Sequence, residues 1–314
     1  MENNETAGNS YKHEDYSAAI ILFLMKDVIE NHPLNRNYDI KVKDISDFLN
    51  KKPEVGPRLL WRNLVSGQMD ADRADYLLRD SYHIGVQYGK FDIFRLINTL
   101  TVGFDPETEN PTLAIEEGGI HASEGLIIAR YMMFTQVYFH HTRRAFDYHI
   151  GQALKEILRT QGNEFFPSPT TKENVQEYLK WDDWVVYGLI KDGLGGRHGE
   201  ILQNRNHDRN IHQTPEIPTG EELTLFDQIN AALGSKVTYI DKSESSWYKF
   251  GKEDVHVLFD ENDFAKHLSF YSTVVKGLNP VMRRRIYVEN KDKKEAKKIV
   301  DGLLTNGEKR DANG

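Results

Sequence analysis

One short acidic segment, DADRADYLLRDSYH, concentrates side chains that could do chemistry. It holds four aspartates within eleven positions, with two arginines between them. On a helix, residues three or four apart share a face, so Asp72, Tyr76, Asp80 and His83 form one polar stripe. Such a stripe offers a carboxylate for a metal ion, and a phenol and a second carboxylate for a sugar. The neighbouring Arg73 adds a guanidinium that could bind phosphate.

The same pattern is also typical of a charged surface helix, in which aspartates pair with arginines one turn away. Asp70 suits the N-cap of this helix, because its carboxylate can accept from the free amides of the first turn. The residue types alone leave the functional and the structural interpretation open.

A family resemblance favours the functional interpretation. The run SGQMDADRADYLLRDSYHIG resembles the signature around the last aspartate of HD-domain phosphohydrolases. It is most similar to the branch of deoxynucleoside triphosphate triphosphohydrolases that includes the sterile-alpha-motif HD protein. The pattern D-x-D-[RK]-x-D-Y-x-x-R-D is present without a gap. The segment Tyr11-Lys-His13-Glu14 resembles the His-Glu element of the preceding helix, and residues 129–145 resemble the long helix that lines the nucleotide pocket.

This resemblance implies a metal-dependent phosphohydrolase that acts on nucleotides, with deoxynucleoside triphosphates as substrates. By position in the motif, Asp72 resembles a ligand of a divalent metal, which would be Mn, Mg or Fe. His13 and Arg73 resemble residues that act at the phosphates, His13 as a general acid or a phosphate clamp. Tyr76 and Asp80 resemble residues that hold the sugar, the aspartate accepting from the 3′-hydroxyl.

Further along the chain, Tyr138, Arg143 and Arg144 resemble residues that line the base side of the nucleotide pocket. The resemblance also implies a homo-oligomer. We therefore expect a dNTP-like nucleotide and a second copy of the chain as partners.

The chain departs from the family pattern in its metal ligands. The family's remaining ligands, a His and a His-Asp pair, lie upstream of the His-Glu element, but the twelve residues before His13 contain neither His nor Asp. We therefore expect an incomplete metal site in which Asp72 is one of four protein ligands. The later His207-Asp208 dipeptide lies in a polar stretch, which predicts an ordinary surface pair.

Two hypotheses stay open from these residues. The first is an enzyme whose upstream ligands are absent from this chain, and whose activity in this form is uncertain. The second is a catalytically silent module that binds nucleotides, regulates, or forms oligomers.

Composition excludes several classes of protein. The sequence has no cysteine, which excludes thiolate nucleophiles and cysteine-based zinc sites. A formal net charge of −8 argues against general nucleic-acid binding, so Arg283, Arg284 and Arg285 are predicted to form a solvated or interface-facing patch. Since no apolar run reaches the ~18 residues of a membrane span, and the start is not signal-like, we expect a cytoplasmic protein without a membrane partner.

Hydrophobic periodicity predicts a mostly α fold. We expect a helical HD-type core over residues 1–214, lacking its N-terminal helices, and a small α+β region over 215–314. Two prolines and a glycine pair within residues 104–120 predict a β-hairpin or loop between helices. A long helix is predicted over residues 122–159, with a break near Gly151.

Overall fold

The computed structural model describes residues 5–6, 9–50, 52, 59–105, 107, 109–245, 248–249, 254–259 and 265–311. The fold is mostly α, as predicted, with a few small sheets. The helices are α1 (His13–Leu24), α2 (Lys26–Glu30), α3 (Val42–Leu49), α4 (Leu59–Ser66), α5 (Ala71–Ile84), α6 (Ile93–Asn98), α7 (Ile120–Met133), α8 (His141–Thr160), α9 (Lys172–Tyr178), α10 (Asp183–Lys191), α11 (Gly196–Asn204), α12 (Gly220–Leu233), α13 (Leu268–Tyr271), α14 (Thr273–Gly277) and α15 (Lys293–Asp311).

The strands are short and fall mainly in the second half of the chain. They are β1 (Glu5–Thr6), β2 (Asn9–Ser10), β3 (Leu100–Phe104), β4 (Pro111–Glu116), β5 (Arg209–Gln213), β6 (Val237–Ser245), β7 (His256–Leu258), β8 (Lys266–His267) and β9 (Val281–Val288). None of the helices in the described ranges is both long and apolar enough to cross a lipid bilayer.

The chain packs as two compact units. The first unit comprises Met1–Gly67 and Ile150–Gln203, and the second comprises Gln68–His149 and Asn204–Gly314. The predicted division at residue 214 stays a prediction.

In the first unit, α1 packs against α3 and α9. The ring of Tyr16 stacks on Tyr178 with 4.1 Å between centroids, and its hydroxyl donates to the carbonyl of Pro167 at 3.0 Å. Ala18 and Ala19 are buried beside it, because small side chains allow close approach of neighbouring helices. The apolar stretch AAIILFLMKDVI, whose composition predicts one buried helix from Ser17 to Ile29, is divided between α1 and α2 at Met25.

The second unit contains two sheets. Strands β3 and β4 form the predicted antiparallel hairpin, and β7 and β8 extend it, with β7 parallel to β4. In the other sheet, β9 is the central strand between β5 and β6 and is antiparallel to both. Its even-numbered residues Ile286 and Val288 pack under α12 and α15, against Phe226, Ile229 and Val300. Alternation along a strand therefore turns the odd-numbered residues of β9 to the opposite face.

The predicted solvated arginine patch is wrong for Arg285, which is 1% exposed. Its guanidinium donates to Asp241 Oδ2 at 2.9 Å, to Gln213 Oε1 at 3.2 Å and to the carbonyl of Phe139 at 2.6 Å. Arg283 is also engaged, at 3.0 Å from Glu216 Oε1. The charge pattern gave the wrong prediction because residues 283–285 lie on β9, the central strand of a sheet whose two faces are both covered.

The prediction of a surface His207-Asp208 pair is also wrong, since the two residues are only 6% and 3% exposed. Their cover comes from α8. The ring of Phe146 lies 4.9 Å from that of His207, and the amide of Asp208 donates to Nε2 of His149 at 3.3 Å. The polar flanks of the dipeptide in sequence gave no sign of this distant cover.

Replacing Arg285 by methionine should lower the free energy of unfolding by about 3–5 kcal/mol, because Asp241 would stay buried with less compensating charge. Urea unfolding measures the loss. The matched control is Lys242→Met on the neighbouring strand, whose exposed side chain predicts a change within about 0.5 kcal/mol. Equal losses in the two variants would contradict the structural role of Arg285.

Acidification should destabilise the fold through buried histidines. Burial lowers the pKa of His256, and the ring of His267, whose centroid is 5.1 Å away, lowers it further. Asp105, with Oδ2 at 3.3 Å from Nε2 of His256, and the nearby Asp254 act in the opposite direction, but the net shift is downward. Because the folded pKa lies below the unfolded value of ~6.5, the unfolded chain binds more protons as pH falls through that value, and stability is lost.

Urea unfolding at pH 7.5 and 5.5 measures this loss. The variant His256→Gln should lose less stability between the two pH values than the wild type. The control His121→Gln changes a side chain that is 94% exposed and should keep the wild-type dependence. An unchanged pH dependence in His256→Gln would refute the assignment.

Candidate functional site

Helix α5 forms where the sequence predicts it. Asp70 is the N-cap, and its Oδ1 accepts from the amide of Arg73 at 2.7 Å. Gly85 ends the helix in a left-handed conformation with φ of 78°, which costs glycine little. The helix is anchored by Leu77, which is fully buried in the main core of the second unit.

The predicted polar stripe of α5 divides into two parts. Tyr76 and Asp80 are partly buried, whereas Asp72 and His83 are exposed. Asp80 Oδ2 accepts a hydrogen bond from the hydroxyl of Tyr138 at 2.8 Å, and the ring of Tyr138 meets that of Tyr76 edge-on at 6.0 Å. Burial raises the pKa of Tyr138, and the bond to Asp80 raises it further, so the phenol stays protonated and donates.

Tyr138 reaches Asp80 from the end of a π-helical turn. Residues Phe134–Tyr138 continue α7 with wider turns, closed by a bond from the amide of Phe139 to the carbonyl of Phe134 at 2.7 Å. One extra residue per turn rotates the side chains that follow, and such turns are frequent at functional sites. The predicted break near Gly151 is wrong: α8 continues through Gly151, and the long helix is interrupted at the π-turn.

Arg143 and Arg144, adjacent in sequence, have different partners. Arg143 is half-exposed, donates to the carbonyl of Tyr138 at 2.8 Å, and places its guanidinium 5.4 Å from the Tyr138 ring centroid. Arg144 instead donates to Asp241 Oδ1 from Nε at 2.9 Å. Successive helical residues differ by ~100° in direction, which separates them. The role of either arginine in substrate binding stays a prediction.

Arg130 of α7 was not among the residues predicted from the sequence. Its guanidinium lies near the phenol of Tyr76. Burial lowers the pKa of Arg130, and the nearby positive charge of Arg73 lowers it further. Arg73 itself is 3.7 Å from Asp70 Oδ2. Two guanidinium groups near a phenol are side chains that could donate to an anion such as phosphate, although Asp70 offsets part of their charge.

His13 lies in the first unit, at the first position of α1. Its side chain is 86% exposed, and Nδ1 is 3.4 Å from Glu14 Oε2. The role of His13 at a phosphate stays a prediction.

The described residues do not by themselves fit a metal ion. Asp72 is exposed, and within the part of the chain that the structure describes no three His, Asp or Glu side chains are placed to share one metal. A single carboxylate is a poor site for a divalent ion, which takes several oxygen or nitrogen ligands. The metal role of Asp72 stays a prediction that requires further ligands.

Comparison with known families bears on this site. Residues 91–205, which include the π-turn and α8, match the HD associated region. Among curated proteins, the uncharacterized protein YwfO of Bacillus subtilis is 28% identical over 292 residues, covering 85% of this chain and 64% of that protein. The deoxynucleoside triphosphate triphosphohydrolase SAMHD1 homolog of Dictyostelium discoideum is 23% identical, covering 64% of this chain and 36% of that protein.

Solved structures show the same fold. A hypothetical protein from Aquifex aeolicus aligns with a TM-score of 0.69 at 25% identity, covering 90% of this chain and 74% of that one. A phosphohydrolase from Bacteroides thetaiotaomicron aligns with a TM-score of 0.58 at 22% identity, covering 90% and 82%. Together these likenesses support an HD-type phosphohydrolase family. The chain spans less than two thirds of the length of the two curated relatives named above.

The matched residues 91–205 include two residues of the candidate site, Tyr138 and Arg130, that sequence reasoning treated unequally. Tyr138 was predicted from the family resemblance, and the structure brings it to Asp80. Arg130 was missed, although a charged residue directly after the apolar run Gly125-Leu-Ile-Ile-Ala129 was a usable signal. An arginine in that setting needs polar neighbours, and here the phenol of Tyr76 is one of them.

Removing the Tyr138 hydroxyl should weaken this site without changing its shape. Tyr138→Phe deletes the bond to Asp80 but keeps the ring contacts, so the free energy of unfolding should fall by roughly 1 kcal/mol. Urea unfolding measures it. The control is Tyr82→Phe on α5, whose side chain is 80% exposed. The bond contributes nothing if the two variants unfold at the same urea concentration.

Proposed function

We propose that this chain is part of an HD-type phosphohydrolase that acts on nucleotides, with deoxynucleoside triphosphates as its substrate class. Its described residues form a nucleotide-contacting surface in the second unit. The observation that carries the proposal is the bond between Asp80 and Tyr138. The family resemblance assigned these residues to one nucleotide pocket, and although 58 positions separate them in sequence, they meet in the fold.

The chemistry of this surface suits a nucleotide. A carboxylate has two oxygens, so Asp80 can accept from Tyr138 through one and from a sugar hydroxyl through the other. The phenol of Tyr76 lies beside it and can contact the sugar ring. Arg73 and Arg130 supply positive charge for the phosphates, while the bond between Tyr138 and Asp80 fixes the carboxylate before the ligand arrives.

Phosphate-ester hydrolysis in this family generally uses divalent metal ions, which polarise the phosphate and activate water. Asp72 is the one ligand that the resemblance assigns within this chain, so hydrolysis requires ligands beyond it. We propose that Arg73 stabilises negative charge that develops on the phosphate.

A second candidate function is a catalytically silent module that binds nucleotides and contributes to regulation or to a homo-oligomer. The placement of the possible metal ligands favours this candidate, since the described residues do not bring three of them together. Both candidates require nucleotide binding, and they differ in the release of product.

The test is calorimetric titration of the full chain with dGTP in the presence of Mn²⁺. We expect wild-type binding and about a tenfold to hundredfold weaker binding in Asp80→Asn, the range that loss of a charge-assisted hydrogen bond gives. The matched control is Asp75→Asn on the same helix, a 66% exposed side chain paired with Arg79, which should bind like the wild type.

Release of triphosphate from dGTP, followed by ion chromatography, separates the two functions. Release that depends on Mn²⁺ supports the phosphohydrolase. Binding of dGTP without release of triphosphate supports the binding module for this chain. Absence of dGTP binding, or equal affinities in the two aspartate variants, would refute the nucleotide site.

A further inference from the structure

The backbone that carries Tyr138 is held by the sheet β5–β9–β6. Residues 139–144 lead from the π-turn into α8. Three side chains of the strands β6 and β9 contact this segment. Arg285 donates to the carbonyl of Phe139 at 2.6 Å. Tyr287 donates to the carbonyl of His141 at 2.7 Å. Asp241 accepts from Arg144 at 2.9 Å.

These contacts are buried and linked to one another. Arg285 and Tyr287 are at most 1% exposed, and Asp241 is 6% exposed. Asp241 uses Oδ1 for Arg144 and Oδ2 for Arg285 and for the hydroxyl of Ser243. Charge-assisted hydrogen bonds in a low-dielectric interior are strong and directional, so the network fixes the position of the segment.

The segment needs such support because regular helix geometry is interrupted at its first two residues, Phe139 and His140. The π-turn ends at Tyr138 and α8 begins at His141, so tertiary contacts set the direction of the chain between them. Tyr138 immediately precedes the segment, and Arg143 within it donates back to the carbonyl of Tyr138. A shift of the segment would therefore move the hydroxyl that binds Asp80.

We propose that Asp241, Arg285 and Tyr287 are positioning residues for the candidate nucleotide site: from the C-terminal sheet they hold residues 139–144 so that Tyr138 meets Asp80. They do not touch the nucleotide. For its effect on nucleotide affinity the proposal rests on the proposed function, whereas the effect on the bond between Tyr138 and Asp80 does not.

Tyr287→Phe is the sharpest variant, because it removes one hydroxyl and keeps the ring. Tyr287 is the last of three stacked rings. Its ring centroid is 4.5 Å from that of Tyr239, and the centroid of Tyr239 is 3.7 Å from that of Tyr148. The matched control is Tyr239→Phe. It makes the same change in the next ring, whose hydroxyl is buried without a hydrogen-bond partner among the described residues.

The first readout is ¹⁹F NMR of full-length protein with 3-fluorotyrosine at position 138, titrated with pH. In Tyr287→Phe we expect the hydroxyl at position 138 to ionise at lower pH than in the wild-type background, because its bond to Asp80 is loosened. In Tyr239→Phe it should ionise as in the wild type. A purely structural role for Tyr287 would lower stability but leave this titration unchanged.

The second readout is calorimetric titration with dGTP, for which we expect about threefold to tenfold weaker binding in Tyr287→Phe and no change in Tyr239→Phe. Arg285→Lys keeps the charge but cannot reproduce the forked hydrogen bonds to Asp241 and to the carbonyl of Phe139, so it should shift both readouts at least as far as Tyr287→Phe.

The inference is overturned if the fluorine titration is the same in all three proteins, or if both tyrosine variants shift it equally. If the wild type does not bind dGTP, the proposed function fails, and the fluorine titration still decides whether the sheet positions Tyr138.

Discussion

The second unit depends on how one buried carboxylate is compensated. Asp241 lies on β6 with little access to water, where an ionised group is costly unless it is paired and hydrogen-bonded. It is surrounded by the guanidinium groups of Arg144 and Arg285 and by the hydroxyl of Ser243. Because these partners come from α8, β9 and β6, satisfying one charge connects a long helix to the C-terminal sheet.

That constraint extends to the candidate site. The guanidinium of Arg285, which pairs with Asp241, also donates to the carbonyl of Phe139, directly after the π-turn. The π-turn brings Tyr138 to Asp80, and Asp80 lies on α5, whose position is fixed by the buried Leu77. The proposed nucleotide surface therefore depends on packing at two other places, the Asp241 network and the core around Leu77.

The side chains proposed to bind a nucleotide and the side chain proposed to bind a metal have different surroundings. Tyr76, Asp80, Tyr138 and Arg130 lie together in one unit, and each is supported by neighbouring side chains. Asp72, one turn before Tyr76 on the same helix, is exposed and without companion ligands among the described residues. The proposed surface for a sugar and phosphates thus requires no metal ligand to hold its side chains in place.

The sequence by itself determined the local structure. The N-cap of α5 at Asp70, the β3–β4 hairpin and the short helix α3 were predictable because capping, turn and periodicity signals act over a few residues. The family motif also identified Asp80 and Tyr138. Only the tertiary structure decided that Arg285 and His207-Asp208 are buried, that the long helix changes to a π-turn before His141, and that Arg130 lies near Tyr76. The physical reason is distance along the chain: burial and side-chain pairing depend on residues tens of positions away, and no local pattern encodes which of them will cover a given charge.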